Sequence, residues 1–218
     1  MSFKKNAVTF SGGKLGFAGT EAIKRLRANL ITEMSDCNGC RVVGVTSAQP
    51  QEGKTTVALN LASSFAELGK RVLIIEADMR RPAIGKVLSL PCAPGLSNIL
   101  TGASDVSAVQ KSVGNDFAAM FDVLTCGDAA MNPSELLHSE SMKKLLIELR
   151  SAYDFIIVDF PALGDVIDAA VLAPQLDGML VVTREGVCCR DTLAECVEQL
   201  KLSGAKILGF VVNAAERK

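Results

Sequence analysis

Apolar residues fall along this chain in two alternating rhythms. Short continuous runs rich in β-branched residues stand at Arg41–Ser47, Arg71–Ala77, Phe121–Thr125, Phe155–Asp159, Met179–Arg184 and Lys206–Asn213. Longer stretches with helical spacing lie among them: Thr20–Met34, Thr55–Leu68, Ser134–Ser151, Asp165–Ala173 and Arg190–Ser203. Continuous rather than alternating apolar runs predict strands buried on both faces, as in a parallel sheet covered by helices. The strand–helix alternation predicts βαβ units and a three-layer α/β architecture. Thr20 reads as a helix N-cap, and Gly69 and Gly204 fall where helices should end. The first 17 residues, with Gly12, Gly13 and Gly16, read as a loosely held arm.

Length and composition narrow this. A chain of 218 residues, 49% apolar, is one domain with a sizeable core, and 22% charged residues exclude wholesale disorder. Lys+Arg (23) against Asp+Glu (24) leaves a net charge of −1, so nucleic acid is not an expected partner. His138 is the only histidine, which argues against a histidine-based metal site. The chain has no apolar run long enough to span a membrane, and its first residues lack the apolar core of a secretory signal. With seven cysteines, a reducing cytoplasmic setting with free thiols is expected. Cys37-Asn-Gly-Cys40 has no second Cys or His pair, so both read as surface-loop cysteines, and Cys188-Cys189 read as ordinary small residues. Tyr153, the single tyrosine, precedes an apolar strand and reads as a packing residue.

The sharpest chemical signal is Ala48-Gln49-Pro50-Gln51-Glu52-Gly53-Lys54-Thr55-Thr56, which fits [AG]-x4-G-K-[ST]. A predicted strand enters it and a predicted helix leaves it, so backbone N–H groups and a helix N-terminus face an anion. Gln51, Glu52, Gly53, Lys54, Thr55 and Thr56 form the candidate phosphate-binding set. Gly53 admits close approach of the backbone, Lys54 reaches the β/γ-phosphates, and the Thr55 hydroxyl is a Mg²⁺ ligand. The strand ending Glu76-Ala77-Asp78 projects both carboxylates the same way if it stays extended, and Ile156-Ile157-Val158-Asp159 ends a second strand in an acid. Ligands of parallel α/β sheets lie at the carboxyl ends of strands. Glu76, Asp78 and Asp159 are therefore expected to converge beside the loop, with Mg²⁺ between them and ATP.

These segments, in this order, resemble the bacterial tyrosine kinases (BY-kinases), specifically the cytoplasmic catalytic subunits of the CpsD/CapB type that control capsule and exopolysaccharide synthesis. The likeness runs from about Thr20 to Asn213. The loop matches the family's Walker A, Leu73–Arg80 its Walker A′ and Phe155–Pro161 its Walker B. Gly95–Leu100 (GLSNIL) and Asn132–Leu137 (NPSELL) match further landmarks, and Glu21–Arg27 resembles the E-x-x-R-x-x-R helix. The resemblance implies a P-loop NTPase fold of the MinD/ParA-like branch and transfer of the γ-phosphate of MgATP to tyrosine. It implies Glu76 as base, Asp78 and Asp159 as Mg²⁺ carboxylates, Arg80 as a stabiliser of phosphoryl charge and Asn213 as an adenine contact. It further implies that Glu21, Lys24 and Arg27 contact a neighbour in an octameric ring. The tail of a transmembrane activator, a polysaccharide co-polymerase, would stimulate the kinase at the inner face of the plasma membrane.

Four positions depart from the family pattern. Glu76 stands for the usual Asp, and Lys24 for an Arg, which loses the bidentate fork. Walker B reads Asp159-Phe160-Pro161-Ala162 instead of Asp-Thr-Pro-Pro, so Phe160 either packs or crowds the site. The family's tyrosine cluster, its own substrate, is not in the sequence after Asn213, which closes Ala214-Ala215-Glu216-Arg217-Lys218. The alternative is a MinD/ParA-like ATPase switch or a catalytically weak nucleotide-binding regulator. Those ATPases carry an extra lysine early in the loop, where this chain has Ala48, Gln49 and Pro50, which favours the kinase.

Overall fold

The computed structural model describes residues 7–8, 16–113 and 117–213. Six expected strands are present: β2 (Arg41–Ser47), β3 (Val72–Glu76), β5 (Phe121–Leu124), β6 (Phe155–Asp159), β7 (Gly178–Arg184) and β8 (Ile207–Asn213). Two short ones, β1 (Ala7–Val8) and β4 (Gln110–Val113), complete an eight-stranded sheet in the order β1-β8-β7-β2-β6-β3-β5-β4. Every pairing is parallel except β4 on β5. The helices are α1 (Phe17–Glu33), α2 (Lys54–Ala66), α3 (Ile84–Leu88), α4 (Leu96–Leu100), α5 (Pro133–His138), α6 (Glu140–Ala152), α7 (Asp168–Leu172) and α8 (Arg190–Leu202).

The two faces of the sheet bury separate cores, which explains the continuous apolar runs. Val43, Ile74, Ile157 and Leu180 pack with Ile23, Leu30, Leu61 and Phe65 of α1 and α2. Their neighbours Val42, Leu73, Ile75, Ile156, Val158 and Val181 pack with Leu145, Leu149, Leu172 and Leu200 of α6, α7 and α8. Successive side chains of a strand alternate faces, so a sheet covered on both sides needs apolar residues at every position. Phe65 stacks on Phe155 with ring centroids 3.8 Å apart.

Local readings change in six places. Ala7 and Val8 pair with Val212 and Asn213, and α1 starts at Phe17, so these parts of the expected arm belong to the fold. The other arm residues up to 15 lie outside the described residues. Thr20 does not cap α1. It lies in the first turn, where its hydroxyl donates to the Gly16 carbonyl at 3.3 Å. The stretch expected as one helix over Ser134–Ser151 is two, α5 and α6, broken at Ser139. That residue is extended, and its Oγ accepts from the Met142 N–H at 3.2 Å, a side-chain cap that a helix interior would forbid. The stretch Asp165–Ala173 shortens to α7 followed by a 3₁₀ turn over Ala173–Gln175. β4 is a polar edge strand and has no apolar pattern to betray it. Cys40, expected in a surface loop, is instead buried, at 8% exposure, just before β2 begins at Arg41.

Tyr153 packs as expected. It is 5% exposed, donates to Asp122 Oδ2 at 2.7 Å and accepts from Lys111 Nζ at 2.6 Å. The GLSNIL segment lies against the end of β5: the amides of Leu96 and Ser97 donate to the carbonyls of Thr125 and Cys126. A Cβ on Gly95 would come within 2.4 Å of Thr125 O and Gly127 N, so only glycine fits there. Replacing the α6 cap, Ser139→Ala, is expected to lower stability by about 1 kcal/mol in urea denaturation, with an unchanged denaturant slope. An unchanged midpoint would mean that packing alone breaks the helix.

Candidate active site

The loop between β2 and α2 wraps into an anion cradle. Gln51 (φ 64°) and Gly53 (φ 91°) take left-handed backbone conformations, and α2 starts at Lys54 with no side chain capping its N-terminal amides. A helix start left uncapped in this way is a ready site for phosphate. Gly53 is required twice, by its φ and because a Cβ there would lie 2.1 Å from Asn213 Nδ2.

The parallel sheet carries the acids to this loop. Lys54 Nζ lies 3.4 Å from Asp78 Oδ2, both side chains largely buried. The Thr55 hydroxyl donates to Asp159 Oδ2 at 2.7 Å. Asp159 Oδ1 is buried with no hydrogen-bond partner. Burial is the main cause that pushes the Asp159 carboxyl up to about 7. Asp78 and Glu76 add to the shift, and Lys54 and the Thr55 hydroxyl oppose it.

Glu76 does not join Asp78 as expected. β3 ends at Glu76, the chain turns with the Met79 N–H on the Ala77 carbonyl, and the two carboxylates part. Glu76 Oε1 accepts from the amides of Ala83 and Ile84, both at 2.6 Å, and Oε2 accepts from the Cys126 amide at 3.2 Å. Asp78 turns to the loop, with Oδ1 accepting the Arg81 amide at 2.9 Å. Glu76 is fully buried and satisfied by backbone amides, while Asp78 and Asp159 meet Lys54 and Thr55 of the loop; Glu76 stays near enough to add to the Asp159 shift. Among the described residues no three His, Cys, Asp or Glu side chains form a ready-made metal cluster.

The donor set still fits a divalent cation. An orphaned buried carboxylate oxygen, a threonine hydroxyl and a second carboxylate suit Mg²⁺, which keeps several waters and takes few protein ligands beside phosphate oxygens. Thr55, Asp159 and Asp78 would hold it.

The remaining candidate residues fall in varied places. Gln51 is exposed on the loop, and Thr56 sits in the first turn of α2. The Glu52 side chain is fully buried and is taken up by the Gln49 and Arg184 amides. The Asn213 side-chain nitrogen donates to the Glu52 carbonyl at 2.9 Å, which commits it to the loop. Phe160 packs in the core at 0% exposure and does not crowd the site. Glu21 and Lys24 pair with each other on α1 at 3.0 Å. Arg27 is committed to its own subunit, on Ser64 of α2 and, at 3.4 Å, on Glu67.

Two residues here had no role from sequence. Arg80 Nε donates to Asp168 Oδ2 at 3.2 Å and its Nη2 to Ser134 Oγ at 3.3 Å, while the Ser134 hydroxyl donates to the other Asp168 oxygen. Asp168 is fully buried, so the arginine is its charge partner. Ser134 lies in the NPSELL landmark, which was its only signal; Asp168 had none.

A parallel sheet, a P-loop opening a helix, and acids on the neighbouring strand ends define a P-loop nucleotide-binding protein. Residues 40–203 match the family model described as an AAA domain. The chain is 38% identical over 195 residues to tyrosine-protein kinase YwqD of Bacillus subtilis (strain 168), covering 89% of this chain and 80% of that protein. It is 35% identical to tyrosine-protein kinase CpsD of Streptococcus pneumoniae serotype 4, covering 79% of this chain and 75% of that one. The fold matches the kinase domain of Escherichia coli tyrosine kinase ETK with a TM-score of 0.87 at 27% identity, covering 99% and 93% of the two chains. It also matches the cell-division ATPase MinD of Pyrococcus furiosus, with a TM-score of 0.65 at 27% identity over 82% of this chain and 73% of that one. The chain belongs to the bacterial tyrosine-kinase family.

The Asp159 shift has a pH consequence. A carboxyl raised by the fold favours the protonated form, so its stabilisation is complete below the ordinary carboxylate range and is lost as pH climbs through about 7. Thermal midpoints of the ligand-free protein are expected to fall from about pH 5 to about pH 8, and Asp159→Asn to flatten that fall. MgADP should restore more stability at the upper end than at the lower. An equal fall in the variant would remove Asp159 as the cause.

Proposed function

We propose that this protein is an ATP- and Mg²⁺-dependent protein-tyrosine kinase that regulates capsular or exopolysaccharide synthesis. The observation that carries this reading is the paired arrangement at the loop: Lys54 on Asp78 and Thr55 on Asp159, with one Asp159 oxygen left unsatisfied. The relatives named above are tyrosine kinases, which supports the acceptor class.

The chain's own groups take these roles. The loop amides and Lys54 bind the phosphates, and Lys54 is held ready by Asp78. Thr55, Asp78 and Asp159 would hold Mg²⁺, which when bound would supply charge neutralisation at the phosphates. Glu76 is engaged by three backbone amides, so it braces the segment that carries Asp78 and Arg80. Arg80, about two-fifths exposed and anchored on Asp168, is assigned the role that the family resemblance gives it, stabilising phosphoryl charge.

The acceptor tyrosine lies outside residues 1–218, because Tyr153 is the only one there and it is buried. The protein acts at the inner face of the plasma membrane, recruited by the tail of a transmembrane polysaccharide co-polymerase. Among the described residues no helix is long and apolar enough to cross a membrane.

Incubation with MgATP, the activator's tail and a tyrosine-rich peptide should label tyrosine on the peptide. Lys54→Met should abolish the labelling and Tyr153→Phe should leave it unchanged. Labelling no stronger than that of the Lys54 variant would sink the kinase reading, and hydrolysis without transfer would mark an ATPase switch. We further propose a ring-like homo-oligomer contacted through the outer side of α1. Light scattering on Glu21→Ala/Lys24→Ala should then show a large species becoming monomeric. Arg27→Ala should also loosen the packing of α1 on α2, given its bonds to Ser64 and Glu67. A wild-type protein that is always monomeric would refute this assembly.

A further inference from the structure

Glu52 is a charge in an unexpected place. It occupies the loop that must attract a polyphosphate, yet it is an acid, and its residue is 0% exposed. Among the described residues no Lys or Arg side chain pairs with it. A buried carboxylate without a cation persists only if hydrogen-bond donors replace its water.

The donors come from the loop and the adjoining strand end. Oε2 accepts from the Gln49 amide at 2.7 Å. Oε1 accepts from the Arg184 amide at 3.1 Å and the Thr183 hydroxyl at 3.3 Å, both at the end of β7. The backbone of the same residue is held from the other side, its carbonyl accepting Asn213 Nδ2 from the end of β8 at 2.9 Å. Burial and the Glu52 carboxylate together push the nearby Cys188 thiol up, which places the first residues after β7 beside this carboxylate as well. On the loop, the next residue is Gly53 at φ 91°, and the preceding one is Gln51 at φ 64°. The two left-handed positions of the cradle therefore flank the one residue gripped from both sides.

We propose that Glu52 is a positioning residue for nucleotide. Its carboxylate clasps the loop to the end of β7, and its carbonyl is clasped by Asn213, so the cradle keeps its anion-binding shape before a ligand arrives. The proposal rests on the nucleotide-binding reading of the loop.

Electrostatics and positioning predict opposite signs for one substitution. Glu52→Gln removes a negative charge beside a triphosphate site, so a purely coulombic role predicts equal or tighter binding. A clasp predicts weaker binding, because the side-chain NH₂ of glutamine would face a backbone N–H donor. By calorimetry, Glu52→Gln is expected to bind MgATP and MgADP each about tenfold more weakly, with stoichiometry near one, the loss of roughly one well-made hydrogen bond. Asn213→Ala should weaken Mg-tripolyphosphate, which has no adenine, by the same factor as MgATP. The double variant should be no weaker than the weaker single, since both act on one loop.

Wild-type or tighter binding by Glu52→Gln overturns the clasp, as does an Asn213→Ala loss confined to MgATP. Should Glu52→Gln fail to fold, Asn213→Ala and the tripolyphosphate comparison carry the test alone. If the wild-type protein binds no nucleotide, the loop reading fails, and amide hydrogen exchange decides the clasp separately. Slow exchange at Gln49 and Arg184 that becomes fast in Glu52→Gln supports it; equal rates overturn it.

Discussion

Thr55 reaches Asp159 because β2 and β6 run parallel and in register, with Val45 opposite Asp159. The loop leaves β2 two residues after that position, and α2 brings the hydroxyl back over the strand ends to within 2.7 Å of the carboxylate. β3 lies on the other side of β6 with Glu76 opposite Asp159, so Asp78, two residues on, lands against Lys54. A slip of one residue in either pairing would turn Asp159 or Glu76 to the opposite face of the sheet. The chemistry is thus an outcome of strand register, and the register is held by two cores that meet in every central strand.

The site carries more acid than its bases neutralise, and each acid is stabilised by different means. Asp78 has a lysine and an amide. Glu76 and Glu52 have amides in place of cations, and Asp168 has an arginine and a serine hydroxyl. Only Asp159 is left with an unsatisfied oxygen, and burial drives it toward the protonated form. A buried carboxylate that the protein does not satisfy is where an external cation gains most. Acid satisfied by backbone amides shapes the loops, while Asp159 keeps an oxygen with coordination to spare.

Periodicity and motif carried much of this. The central residues of the β2, β3, β6 and β7 runs are continuously apolar, which announces a parallel sheet buried on both faces, and the spacing from Ala48 to Thr56 announces a phosphate loop. Elements with no buried face to pattern them were not legible, as β4 shows. The Ser139 break was missed because both sides are rich in helix formers, although the leucines of α5 and α6 do not keep one helical phase across it. Glu76 misled for a related reason: its spacing from Asp78 implies a shared direction only while the strand persists, and the strand stops at Glu76.

The amino-acid sequence by itself determined the layers, the order of the motifs and the position of the phosphate loop, because these follow from local spacing and from the need to bury apolar surface. The tertiary structure alone decided which acids are spent on backbone amides and which remain for a ligand. It alone joined Arg80 to an aspartate 88 positions away and tied Glu52 to a strand end 132 positions on. Hydrogen-bond partners so distant in the chain leave no periodic trace. They are set by where the sheet brings its carboxyl ends together, and only the folded sheet says where that is.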